Sequence, residues 1–160
     1  MDRIHIQTAA DPTAVGKIAA EIFLSHVRAK PNAVLGLATG STPLPLYAAL
    51  ADAFRAGSVS FKAVRTVNLD EYVGLAPTHD QSYRYFMNEN LFKRIDIDLA
   101  NTYIPDGTAE DPEAVCKAYE EKIAALGGID IQLLGIGLNG HIGFNEPDDV
   151  FSKTTHVVRL

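Results

Sequence analysis

Three short stretches of the chain gather residues able to move protons or hold an anion. Asn68-Leu-Asp-Glu-Tyr-Val-Gly74 sets two adjacent carboxylates, Asp70 and Glu71, where an apolar run ends. A carboxylate in a partly dry crevice has its pKa raised, which suits it to act as a general base. Neighbours at a strand end point in different directions, so the two carboxylates are expected to have different jobs. The plain alternative is that Asp70 caps a turn and Glu71 is solvated.

Gly135-Ile-Gly-Leu-Asn-Gly-His-Ile-Gly-Phe-Asn-Glu-Pro147 holds four of the chain's 12 glycines together with Asn139, His141, Asn145 and Glu146. A histidine at a strand end is more often structural than catalytic. Glu146 nearby shifts the balance, because a carboxylate can orient an imidazole and fix its tautomer. Leu37-Ala-Thr-Gly-Ser-Thr-Pro43 is a Gly- and hydroxyl-rich turn leading onto a helix, where free amides and the helix dipole favour a phosphate. An ordinary N-cap at Ser41 or Thr42 accounts for the same residues equally well.

Other chemistries find less support. Gly135-x-Gly137-x-x-Gly140 matches a dinucleotide-binding pattern, but that pattern must open a helix and be followed by an acidic residue about 20 positions on, whereas Pro147 follows here. No nicotinamide cofactor is expected. His5, His26, His79, His141 and His156 are scattered, without the spacing of a metal site, so no metal is expected. Cys116 reads as a small apolar helix residue.

These loops need elements to position them. Arg3–Gln7 alternates like a strand, and Pro12–Ala29 places Val15, Ile18, Ala19, Ile22, Phe23 and His26 on one helical face. Ala33–Ala38 is a short apolar strand followed by a helix through about Ala56 with Pro43 in its first turn. Val64–Leu69, Thr102–Ile104, Ile129–Ile136 and Thr155–Leu160 read as further strands, and Ser82–Phe92 and Glu110–Leu126 as helices. On the last helix, Val115, Ala118, Tyr119, Lys122, Ile123 and Leu126 share a face. The alternation predicts an α/β fold: a doubly wound, mostly parallel, Rossmann-like sheet with helices on both faces. Ligands of such sheets sit beyond the carboxyl ends of the strands, where all three loops fall.

Composition agrees. The 160 residues are 47% hydrophobic and 21% charged, which suits one compact domain with its own core. Lys plus Arg number 14 against 20 Asp plus Glu, a net charge of −6, so nucleic acid is not an expected partner. The start of the chain has no export-signal pattern and no apolar run is long enough to span a membrane, while a single cysteine gives no sign of an oxidising compartment. A cytoplasmic location is expected.

Leu35-Gly-Leu-Ala-Thr-Gly-Ser-Thr-Pro43, Val67-Asn-Leu-Asp-Glu-Tyr-Val-Gly-Leu75, Gln81-Ser-Tyr-Arg-Tyr-Phe-Met87 and Leu134 through Pro147 resemble, in order and across nearly the whole chain, the glucosamine-6-phosphate deaminase family. The related 6-phosphogluconolactonases share the fold and a Gly-x-x-Gly-His core but lack the His-Ile-Gly-Phe-Asn-Glu-Pro continuation. The resemblance implies conversion of glucosamine 6-phosphate and water to fructose 6-phosphate and ammonia, in amino-sugar catabolism, with neither metal nor organic cofactor. It implies that His141, assisted by Glu146 and Asn139, opens the sugar ring, and that Asp70 carries a proton from C2 to C1. Asn139 takes a positioning role, since an amide cannot trade a proton as a carboxylate can. Ala38, Thr39, Gly40, Ser41 and Thr42 would hold the phosphate or neighbouring hydroxyls, with Glu71 and Gly137 as further substrate-binding residues.

Allosteric family members form hexamers and use basic residues shortly after the Asn-Glu-Pro motif, where this chain has His156 and Val158. An unregulated form is therefore expected, as a monomer or homo-oligomer. The resemblance also implies further strands and helices past the position of Leu160, bringing an arginine and a lysine to the phosphate. Residues 1–160 thus read as a single domain lacking its carboxyl-terminal part. A lactonase-like hydrolase and a non-catalytic sugar-phosphate sensor are the alternatives.

Overall fold

A computed structural model describes residues 4–150 and 152–159. Its centre is a four-stranded, all-parallel sheet of β1 (Val34–Leu37), β2 (Arg65–Asn68), β3 (Thr102–Tyr103) and β4 (Ile131–Gln132), in the order β3-β2-β1-β4. The helices are α1 (Pro12–Ala29), α2 (Leu44–Arg55), α3 (Tyr83–Asn90) and α4 (Pro112–Ala125). After β1 the chain winds outward through β2 to β3, then crosses back to place β4 on the other side of β1. The winding reverses between β1 and β4, and in parallel sheets such a switch point opens a ligand crevice at the carboxyl ends.

Strand pleating divides the core between the two faces. Leu35 and Leu37 point into a cluster with Phe23 and Leu24 of α1, Leu46 and Leu50 of α2 and Met87 of α3. Val34 and Val67 point the other way, against Tyr119 of α4. Helices therefore cover both faces, as the β/α alternation predicts. Tyr119 also donates to the carbonyls of Asn68, at 2.8 Å, and Tyr103, at 3.0 Å, tying α4 to the ends of two strands.

Several expectations need correction. Ile4–Gln7 forms no strand, and Ile4 and Ile6 are exposed, while Arg3 lies outside the described residues. Thr155–Arg159 likewise forms no strand, and Leu160 lies outside the described residues. The run from Ile129 to Ile136 is a strand only at Ile131–Gln132: the amides of Asp130 and Leu133 still donate to the Val34 and Gly36 carbonyls at 2.9 Å, the Asp130 carboxylate takes the Val34 amide at 2.8 Å, and the glycines from Gly135 leave the sheet. Of the face expected on α4, only Tyr119 is buried.

The expected face of α1 is also rotated. The helix buries Gly16, Ala20, Phe23, Leu24 and Val27, leaving Val15 and Ile22 about half exposed at 52% and 53%. Gly16 explains the rotation: a Cβ there would lie 2.5 Å from Cβ of Pro45 and 2.8 Å from the backbone nitrogen of Leu46. Close approach of the two helices, not the largest side chains, selects the buried stripe. Gly16→Ala gains about 1 kcal/mol of helix propensity but meets backbone that cannot yield, so a net loss of about 1–2 kcal/mol is expected in chemical denaturation. A variant as stable as the parent would contradict this packing.

Candidate active site

The loops after β1, β2 and β4 converge on one crevice of about 400 Å³ beside the switch point, with Ala38, Thr39, Thr42, Asp70, Gly137 and His141 in its lining. Gly40, Ser41, Glu71, Asn139 and Glu146 stand outside that lining. Six of the eleven residues expected to act together thus face one space.

The first loop is held from beneath. Buried Tyr47 of α2 donates its hydroxyl to the Ala38 carbonyl, and Gly40 takes φ +93°, a left-handed turn that suits glycine. The N-cap reading of Ser41 or Thr42 fails: Pro43 occupies the cap position and no side chain caps α2. The Leu44 amide turns back to the Ser41 carbonyl at 3.3 Å, and Pro43 and Pro45 have no N–H, so it is the hydroxyls of Ser41 and Thr42 that this loop offers to another partner.

The paired carboxylates after β2 have opposite environments. Asp70 is half-buried, and among the described residues no hydrogen bond reaches its carboxylate. Burial, reinforced by the negative charge of Glu71, pushes its pKa up to about 6. That is the environment of a carboxylate poised to accept a proton. Glu71 instead spends both oxygens on the chain itself. Its Oε1 accepts from the amides of Tyr72 and Tyr83 and its Oε2 from the Ser82 hydroxyl and the Arg84 amide, each at 2.9 Å. This geometry fits neither a solvated Glu71 nor one that contacts a ligand through its carboxylate.

The loop after β4 is a series of tight turns. Gly140 donates to the Gly137 carbonyl at 2.9 Å, Gly137 donates to the His141 carbonyl at 2.8 Å, and Ile142 and Asn145 exchange backbone hydrogen bonds. Among the described residues no helix follows, which disposes of the dinucleotide-binding resemblance of Gly135, Gly137 and Gly140. The turns return Glu146 to Asn139, whose Nδ2 donates to Oε2 of Glu146 at 2.5 Å. Because Nδ2 faces a carboxylate, Oδ1 of Asn139 is the atom facing Nδ1 of His141, at 2.6 Å. That oxygen only accepts, so Nδ1 carries the proton and Nε2 is left free to accept one. Glu146 acts on the imidazole chiefly through this amide, its own oxygen lying 4.0 Å from Nδ1. The imidazole also lies over Gly137, where a Cβ would come within 2.1 Å of Cε1.

Two residues emerge that sequence reasoning gave no role. Tyr83, from the first turn of α3, lines the crevice with Asp70, and its hydroxyl lies 3.2 Å from that of Tyr72. Burial raises its phenol above the ordinary range, so it stays protonated. Tyr47 is the second, as the anchor of Ala38. An aromatic residue on a helix reads as core, and only its hydroxyl hints at more. Cys116 lies half-buried on α4, its thiol pushed up by burial and by Glu113. Among the described residues no helix is long and apolar enough to cross a membrane.

Comparison with known proteins gives a consistent set of relatives. The family model for glucosamine-6-phosphate isomerases/6-phosphogluconolactonase matches residues 8–158. A glucosamine-6-phosphate deaminase of Lachnoclostridium phytofermentans is 60% identical over 157 residues, covering 98% of this chain and 66% of the relative. One from a Geobacillus species is 57% identical over 95% of this chain and 61% of the relative. The solved structure of a monomeric glucosamine-6-phosphate deaminase superposes with a TM-score of 0.92 at 47% identity, over 95% of this chain and 63% of that one. A 6-phosphogluconolactonase of Thermotoga maritima is more distant, with a TM-score of 0.63 at 28% identity over 78% of this chain and 59% of that one. The chain spans 55–66% of the length of the curated relatives it matches.

Proposed function

The chain belongs to the glucosamine-6-phosphate isomerase/6-phosphogluconolactonase family, and from that premise we propose that it carries the proton-transfer machinery of an isomerising deaminase acting on glucosamine 6-phosphate. The observation that carries this reading is the pairing in one crevice of Asp70, unbonded and proton-hungry, with His141, whose Nε2 is free. Lactone hydrolysis moves no proton at carbon and needs no base placed like Asp70. Isomerisation does.

In this mechanism Nε2 of His141 takes the proton of the anomeric hydroxyl and returns one to the ring oxygen, opening the ring to the aldehyde. Asn139 holds the Nδ1–H tautomer throughout, and Glu146 holds Asn139. Asp70 takes the proton from C2, and the C2–H pair forms a C1=C2 double bond as the C1=O π pair moves to O1, which takes a proton from solvent; the nitrogen lone pair then forms C2=N while the C1=C2 pair takes the proton back from Asp70 at C1, leaving an iminium at C2. Water adds at C2 and ammonia departs, giving fructose 6-phosphate. The loop from Ala38 to Thr42, at the N-terminus of α2, receives the phosphate or neighbouring hydroxyls, with Gly137 lining the opposite wall.

The deaminase reading implies a cytoplasmic enzyme of amino-sugar catabolism. The monomeric state of the solved relative, together with His156 and Val158, supports an unregulated protein. Incubation with glucosamine 6-phosphate is expected to give equal amounts of fructose 6-phosphate and ammonia, with 6-phosphogluconolactone opening only at its spontaneous rate. Accelerated lactone opening without ammonia would assign the chain to the hydrolase branch, and binding without either product would make it a sensor.

A further inference from the structure

We propose that Glu71 is a positioning residue: by clamping the first turn of α3 to the loop after β2, it fixes where Asp70 and Tyr83 enter the crevice. The inference rests on the deaminase reading for its kinetic consequences, but its structural content stands on the hydrogen bonds alone.

A carboxylate has about four acceptor positions, and Glu71 fills four with the donors of Tyr72, Ser82, Tyr83 and Arg84. Three of those donors sit 11 to 13 residues away at the start of α3, whose free amides and dipole favour an anion. Ser82 is itself the N-cap, its oxygen accepting from Tyr85 while its proton goes to Glu71. The clamp continues through Arg84, whose guanidinium donates to the hydroxyl of Thr102 at 2.7 Å and its carbonyl at 2.9 Å. The β2 loop, α3 and β3 are thus joined at one point, one residue from Asp70. A shift of Glu71 moves Asp70 along the backbone and Tyr83 through its amide.

Glu71 also acts on Asp70 by charge, as the second cause of its raised pKa after burial. The titratable groups around Asp70 are Glu71 and Tyr72 on its own loop, Tyr83 from α3, Tyr119 from α4 and His141 from the β4 loop, with Asp106, Cys116, Glu120, Lys153 and His156 across the cavity on its other side. Of these, the Glu71 charge is the one its own variant removes. Glu71→Gln keeps the length of the side chain but turns an NH2 toward donors and deletes the anion. A residue that merely holds the fold together would leave the pH profile of the surviving enzyme unmoved.

The test uses the protein translated to its own stop codon. For Glu71→Gln, kcat for ammonia release is expected to fall about 10- to 100-fold with KM within about threefold, as for a misplaced base. The acidic limb of kcat is expected to move to lower pH, because loss of the neighbouring anion makes Asp70 easier to ionise. A kcat within about threefold of the parent, or an unmoved limb, overturns the proposal. If Glu71→Gln does not fold, Ser82→Ala, which removes one donor and keeps the charge, should lower kcat about 3- to 10-fold with the limb unmoved. An unchanged kcat there overturns it. If the parent releases no ammonia, the deaminase reading fails separately, and amide exchange decides for Glu71. Loss of protection at Tyr83 and Arg84 in Glu71→Gln supports the clamp, and unchanged protection overturns it.

Discussion

Asp70→Asn is expected to lower ammonia release from glucosamine 6-phosphate by about 10²- to 10⁴-fold, the usual worth of a positioned base, with KM nearly unchanged. The amide has the same shape, so binding survives while exchange of the C2 hydrogen with solvent stops. Exchange at the parent rate would remove Asp70 as the base. In the parent, activity should fall as pH drops through about 6, where burial and the Glu71 charge place the protonation of Asp70. The same environment costs stability. Because the folded pKa lies above the ordinary value of 3.8, the native state binds its proton more tightly than the unfolded chain does. Stability therefore falls as pH rises from about 4 to 6 and stays lower above that window. Asp70→Asn cannot ionise, so it should be more stable than the parent by about 1–3 kcal/mol at pH 8 and gain nothing below about pH 4. Denaturation curves at the two pH values check both signs, and a variant less stable at pH 8 would contradict the burial argument.

His141→Gln and Gly137→Ala should converge on the same defect from two directions. The first removes the group that shuttles the proton between the anomeric hydroxyl and the ring oxygen, with an expected loss of about 10²- to 10⁴-fold on the cyclic substrate. The second leaves the imidazole present but places a methyl 2.1 Å from Cε1 and 2.5 Å from Nε2, so the ring must swing off its bond to Asn139. Displacement of that size is worth about 10²-fold. Neither change touches Asp70, so proton exchange on an open-chain substrate analogue should survive in both. Equal loss of exchange and turnover would mean that His141 does more than open the ring.

The division of labour between Asp70 and Glu71 was only partly legible in the sequence. Two carboxylates at the end of a strand announce chemistry, and their opposite directions follow from backbone geometry. The occupation of Glu71 does not follow, because three of its donors lie 11 to 13 residues away with no local signature. His141 and Asn139 were readable because their partners lie within the same turn. α1 was found with its bounds, since Asp11 caps it and Pro12 opens it, but its buried stripe was not. Periodicity weighs large apolar side chains, whereas the contact with α2 is set by Gly16. β4 is shorter than its apolar run suggests because the ladder ends with the Leu133 amide and the glycines from Gly135 turn the chain into the crevice.

Isomerising deamination is tested most directly by incubating the protein, translated to its own stop codon, with glucosamine 6-phosphate in deuterium oxide. Asp70 working as described predicts ammonia and fructose 6-phosphate in equal amounts, with the hydrogen delivered to C1 coming from C2 or from exchanged solvent and lost in Asp70→Asn. A folded protein that releases no ammonia under these conditions would contradict it.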